Sequence, residues 1–389
     1  MTRFAPLAFL LAAATVSIGC SSSDDAAPTS TDTTDAGDAA ASTEGDAATT
    51  ETDSSVAPDS GVFVSGEALT VASKETWTWV DFPESKCANG QPTGIGVNLS
   101  DKSKRALVFL EGGGACWEET TCFVLKTASY VSTGYNTTQF DQESSTILKT
   151  GLFDRTDTTN PYRDYNFIYI PYCTGDVHSG DSSGVYGSNP TVEHHGLKNV
   201  QAYLKRIVPT FPDADRIVLA GQSAGGFGAM FHWWRVQSAF GSIRVDLVDD
   251  SGTMLTDPYL PAAREASWRK AWNLDAGLPS DCTTCGALSG MFDYYATKFP
   301  DHKMALLSYQ RDTTLSQFFG PISLDKFQEG LVSLIATKLQ HPNMRYYVAA
   351  GDGHVLTGTN AISTKGVPLY SWLNKMATDD NAGWVNLSP

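Results

Sequence analysis

The stretch DADRIVLAGQSAGGFGAMFHWW, residues 213 to 234, sets a serine where it could attack an ester or amide carbonyl. Residues 216–220 read as an apolar strand and 224–234 as a helix, so Ser223 falls on the turn between them. Small residues at such a turn (Gly221, Ala224, Gly225, Gly226) let strand and helix approach and thrust the serine outward. The helix also aims its free N–H groups at the same place. A serine hydroxyl is a weak nucleophile and needs a base. His302 and His341 precede strands, whereas His354 follows the last one, in Gly351-Asp352-Gly353-His354, so His354 is the expected base. An acid must orient its ring. Asp312, ending MALLSYQRD, is the expected acid, and Asp250 in VDLVDDSG is the alternative. Backbone N–H groups must stabilise the oxyanion that attack creates. Ala224 follows the serine, and Gly113 and Gly114 lie in the glycine run ending the strand of FLEGGGACW.

These residues can converge only if one sheet carries them. The apolar runs at 105–114, 165–176, 216–223, 244–252, 304–312 and 344–354 are near-continuous, as in a parallel sheet covered on both faces. Residues 196–208 and 324–340 repeat apolar positions at helical spacing between them. The alternation predicts an α/β fold with a mostly parallel sheet and helices on both faces. TWTWVDFP and GIGVNLS read as an antiparallel hairpin at one edge. Function in such sheets collects beyond the C-terminal strand ends, where all the polar clusters above sit.

The motifs FLEGGGACWEETTCF, IYIPYCTGDVHSGD, GQSAGGFG, DDSG and GDGH occur in the order seen in the pectin acetylesterase family. From about Cys87 to His354 the chain resembles that family, which includes plant pectin acetylesterases and Notum-type carboxylesterases; 255–345 resembles it only faintly. The resemblance implies an α/β-hydrolase-like serine carboxylesterase with Ser223, Asp312 and His354 as its triad and Gly113, Gly114 and Ala224 as its oxyanion hole. It implies no metal or other cofactor. Plant members deacetylate pectin and Notum removes a longer acyl group from a protein. The leading expectation is deacetylation of an O-acetylated, pectin-like polysaccharide. The alternatives are a lipase-like or polyester-type esterase for longer acyl groups, or a non-catalytic surface binding protein. Asp176, His178 and Trp117 are expected to border the pocket. Ala115, after the glycines, and Gln222, before the serine, depart from the family's pattern beside the acyl site.

The ends and the charge bound the rest. Residues 1–19 read as a signal peptide whose apolar run, Phe4 to Ile18, meets Cys20 as a bacterial lipobox does. That predicts lipid on Cys20, a membrane anchor, and a place in the bacterial cell envelope, outer membrane or periplasm. Residues 20–60 carry ten acidic side chains and no Lys or Arg, which predicts a disordered tether. Residues 61–389 are left as the esterase domain, with 26 basic and 33 acidic residues, and nothing in that balance suggests a nucleic-acid partner. Six cysteines remain. Cys116 with Cys122 and Cys282 with Cys285 are close enough for local loops, which leaves Cys87 with Cys173, although spacing alone does not decide among the fifteen pairings. In an exported chain, Cys282-Thr-Thr-Cys285 is expected to be a disulfide rather than half a zinc site.

Overall fold

Alternate residues of the central strands point to opposite faces of a sheet, and both faces are apolar. The structure, a computed structural model, describes residues 63–71 and 73–389. The expected leader, Cys20 and tether lie outside the described residues. The sheet has eight strands: β1 (Thr78–Phe82), β2 (Thr93–Asn98), β3 (Ala106–Leu110), β4 (Asn166–Ile170), β5 (Ile217–Gln222), β6 (Val245–Asp250), β7 (Met304–Tyr309) and β8 (Met344–Ala349). Their order is β1-β2-β4-β3-β5-β6-β7-β8. β1 and β2 pair antiparallel and form the expected edge hairpin, and β2 meets β4 antiparallel. All other pairs are parallel.

Side-chain alternation assigns the helices to faces. Ala106, Val108, Leu110, Leu219 and Leu247 share one buried cluster with residues of α2 (Gly196–Thr210), α3 (Ala224–Phe240), α4 (Ala262–Trp272), α5 (Gly290–Lys298) and α7 (Leu324–Lys338). Leu107, Phe109, Val218, Ala220 and Leu307 share the other with α1 (Thr137–Ser145) and α8 (Leu369–Ala377). α6 (Thr313–Phe318) follows β7 and adds Leu315 to the first cluster. The amphipathic reading of 196–208 holds: Leu197, Val200, Tyr203 and Leu204 are buried on α2.

Three disulfides lie outside the sheet, Cys87–Cys173, Cys116–Cys122 and Cys282–Cys285. The first ties the segment before β2 to the one after β4, and the second closes a short loop after the glycine run.

Leu219 sits fully buried in β5, one turn of chain before Ser223. Leu219→Ala should lower unfolding stability by about 2–5 kcal/mol, the usual cost of such a cavity. Val332→Ala, at an exposed position of α7, should change it by less than about 0.5 kcal/mol. Urea titration followed by tryptophan fluorescence measures both.

Candidate active site

Ser223 stands between the last residue of β5 and the first of α3, with φ 55° and ψ −122°. A non-glycine residue there is strained, and the strain holds because the surroundings over-determine it. Its N–H donates to the Asp250 carbonyl at 2.7 Å, which pins the turn to β6. Gly225 meets the end of β3 so closely that a Cβ would lie 2.0 Å from the Leu110 carbonyl oxygen. This is why the turn is built of glycine and alanine.

His354 follows β8, as expected for the base. Its Nε2 lies 2.7 Å from Ser223 Oγ and its Nδ1 2.7 Å from Asp312 Oδ2. Asp312 is wholly buried and caps α6: its Oδ1 accepts from the N–H groups of Thr314 and Leu315, at 2.9 and 2.8 Å. The carboxylate is thus fixed by backbone donors on one oxygen and faces the imidazole with the other.

Asp250, the alternative acid, does not touch His354. Its side chain accepts from Leu356 N at 2.8 Å, Thr357 N at 2.8 Å, Thr357 Oγ1 at 2.7 Å and Ser251 Oγ at 3.1 Å. Burial pushes this carboxyl above its ordinary range, and those donors oppose the push. The residue holds the loop that carries His354 and, through its carbonyl, the turn that carries Ser223. Its neighbour Asp249 points to the α3 face, where Oδ1 accepts from Gly252 N at 2.8 Å. Burial raises its carboxyl to about 8, so it is mostly neutral at pH 7.

The glycine run lies against the nucleophile turn: a Cβ on Gly112 would sit 3.1 Å from the Ser223 Cβ. Gly113 and Gly114 have φ 154° and 75°, and the Gly113 carbonyl accepts from Ser129 N. Among the described residues no hydrogen bond engages the N–H of Gly113, Gly114 or Ala224. Gly114 and Ala224 share the cleft wall with Ser223, while Gly113 packs on Tyr172 and Ser129.

A cleft opens from this point. Ser223 supplies the only hydroxyl on its wall, beside Gly114, Ala115 and Ala224. The rest is apolar: Phe227 and Phe231 of α3, Trp268 and Trp272 of α4, and Phe318 and Phe319 at the end of α6. Leu274, Leu288 and Leu315 fill the gaps.

The expected border residues are placed differently. Asp176 is fully buried and accepts from Thr174 Oγ1, Gly180 N and Gly196 N, so it builds its loop rather than lining the cleft. His178 is also buried, donating from Nε2 to the Glu111 carbonyl at 2.8 Å, and burial lowers its basicity to about 4. Val177, between them, is the residue on the wall. Trp117 stands behind the wall, edge-on to Trp268, Trp272 and Phe318 at 5.8–6.3 Å. Ala115 lines the cleft, and Gln222 does not. Hydrophilic residues in a glycine-rich loop satisfy that loop's own backbone before they reach a ligand. Sequence reasoning missed the aromatic wall, whose only signal was Trp and Phe spacing in 264–319.

A sheet in this order, with a strained serine turn after β5 and acid and histidine after β7 and β8, defines the α/β-hydrolase fold. The crystal structure of the Wnt deacylase Notum from Drosophila has the same fold, with a TM-score of 0.59 at 20% identity over 80% of this chain and 95% of that one. The chain belongs to the pectinacetylesterase family, whose sequence model matches residues 69–297. Relatives include the palmitoleoyl-protein carboxylesterase notum2 of Xenopus laevis, 30% identical over 43% of this chain and 35% of that protein. NOTUM of Drosophila melanogaster is 29% identical over 58% of this chain and 35% of its own length. The chain therefore spans about a third of the length of the curated relatives it matches.

The Asp250 contacts can be tested without a substrate. Asp250→Ala leaves two buried N–H groups and two hydroxyls without an acceptor and should cost about 3 kcal/mol or more. Asp250→Asn keeps one acceptor oxygen and should cost less. Chemical denaturation of the parent and both variants at pH 7 gives the ranking.

Proposed function

We propose that the chain is a serine carboxylesterase that removes an apolar acyl group larger than acetyl. Ser223 attacks the ester carbonyl while His354 takes its proton at Nε2. Asp312 holds the imidazole with Nδ1–H towards the carboxylate and stabilises the imidazolium. The N–H groups of Gly113, Gly114 and Ala224 receive the oxyanion, and His354 returns the proton to the leaving alcohol. Water, activated by the same histidine, then frees the acyl group from Ser223.

One observation carries the acyl preference. The cleft beside Ser223 is walled by six aromatic side chains, and the hydroxyl of Ser223 is the one hydroxyl in its lining. Contact with those rings favours an apolar acyl chain, each buried methylene contributing about 0.8 kcal/mol. The Notum relatives are named palmitoleoyl-protein carboxylesterases, which agrees with this reading. Deacetylation of a pectin-like polysaccharide is the second reading, supported by the family's description. A non-catalytic binding role has no support from a serine and histidine 2.7 Å apart.

p-Nitrophenyl esters from acetate to palmitate, assayed with the full chain in detergent, separate these readings. Expected is a kcat/KM for hexanoate or octanoate at least about tenfold above that for acetate, from the methylene term. Ser223→Ala should abolish turnover, and Asp312→Asn should lower kcat roughly 10³–10⁴-fold. A steep preference for acetate would favour the polysaccharide reading, and no turnover of any ester would sink the esterase.

Export and anchoring through Cys20 are part of the same proposal. Three disulfides suit an oxidising compartment. Labelled palmitate fed to bacteria expressing the full chain should appear on the parent and not on Cys20→Ala, which should leave the membrane fraction.

A further inference from the structure

Gly112, Gly113 and Gly114 have no side chains to stiffen their own backbone, so the turn is as rigid as the groups that grip it. Glu111, at its start, is held at three points. Its N–H donates to the Ile170 carbonyl at 3.0 Å, its Oε2 accepts from Tyr172 N at 2.9 Å, and its carbonyl accepts from His178 Nε2 at 2.8 Å. His178 is the one side chain among these three partners. A planar trans peptide sets a carbonyl and the next N–H antiparallel, so holding the Glu111 carbonyl also fixes the plane that leads into Gly112. That plane matters because a Cβ on Gly112 would lie 2.7 Å from the Gln222 carbonyl oxygen, next to Ser223.

The loop that carries His178 is strained. Val177 and His178 have φ 51° and 62°, two successive side-chain-bearing residues in the left-handed region, one of them β-branched. Such a backbone persists only where its surroundings over-determine it. Val177 N donates to Tyr172 Oη at 2.8 Å, and Gly196 packs so closely that a Cβ there would lie 2.3 Å from the His178 carbonyl carbon. The His178 carbonyl accepts from His232 Nε2 at 2.8 Å, and His232 Nδ1 lies 3.1 Å from Arg235 Nη1. Carbonyls only accept and a guanidinium only donates, so each tautomer is fixed. Arg235 donates to His232, His232 to the His178 carbonyl, and His178 to the Glu111 carbonyl. Burial lowers the basicity of both histidines, so both stay neutral and keep those tautomers at neutral pH. His232 and Arg235 belong to α3, the helix that begins at Ser223.

We propose that His178 is a positioning residue: it transmits the register of α3 to the 112–114 turn and so holds the oxyanion donors at a fixed distance from the nucleophile. One helix then references both halves of the reaction, the serine at its first residue and the oxyanion turn through the relay two to three turns later. A histidine that only built its loop would affect stability and leave turnover of the folded protein alone.

This role rests on the esterase reading. The test uses the full-length parent, His178→Phe, His178→Gln and His178→Asn on the best p-nitrophenyl ester. His178→Phe keeps a ring against Tyr172 and removes the donor. It should lower kcat roughly 10- to 100-fold, less than outright loss of an oxyanion donor, with KM within about threefold. His178→Gln places an amide hydrogen as many bonds from Cβ as Nε2 and should return kcat to within about fivefold of the parent. An alkyl trifluoromethyl ketone reads the oxyanion directly: Ser223 Oγ adds to its carbonyl, the serine proton passes to His354, and a tetrahedral oxyanion remains. Its Ki should rise across the variants in step with the fall in kcat/KM. Unchanged kcat in folded His178→Phe, or a flat Ki while kcat falls, would overturn the proposal. Should His178→Phe not fold, His178→Asn decides by the same readings, since asparagine tolerates this backbone and its amide stops a bond short of the carbonyl. A parent that hydrolyses no ester sinks the esterase reading and this role together, whereas an active parent with unaffected variants sinks this role alone.

Discussion

Asp250 sets the distance between Ser223 and His354. Its carbonyl receives the N–H of the serine, and its carboxylate receives the N–H groups of Leu356 and Thr357, just past the histidine. The two reacting groups therefore reference a single rigid residue at the end of a central strand rather than each other. A backbone at φ 55° would relax if its N–H were free, and a loop running Gly-Asp-Gly before its histidine has little stiffness of its own. Anchoring both to β6, itself hydrogen-bonded between β5 and β7, converts the order of the sheet into the geometry of a proton transfer.

Most of this could be read from residue types. The strands and their mostly parallel pairing needed only near-continuous apolar runs, and the serine turn announced itself through glycines that a helix start does not otherwise require. His354 and Asp312 followed from their place at C-terminal strand ends. What sequence could not show is which of two buried partners a carboxylate meets. Asp250 and Asp312 both end strands, and both are wholly buried. Only the path of the 355–357 backbone decides that Asp250 takes amide hydrogens while Asp312 takes the imidazole.

The misplaced residues have a common cause. Asp176 and His178 look like ligand-binding groups because they are polar and sit beside glycines. In the fold their donors and acceptors are consumed by Gly180, Gly196 and the Glu111 carbonyl. The cleft wall was overlooked for the opposite reason: Trp268, Trp272 and Phe318 read as ordinary core residues, and only tertiary packing leaves one face of each open towards Ser223.

The aromatic wall has a consequence for how such a chain can change over time. The reacting groups stand on strand ends, while much of the wall is carried by α4 and the end of α6, segments that contribute no atom to proton transfer. Substitutions there can widen, shorten or repolarise the cleft with the reaction machinery left in register. If the proposed esterase reading holds, new ester substrates are reachable by drift in two helical segments, under selection that the sheet itself does not feel.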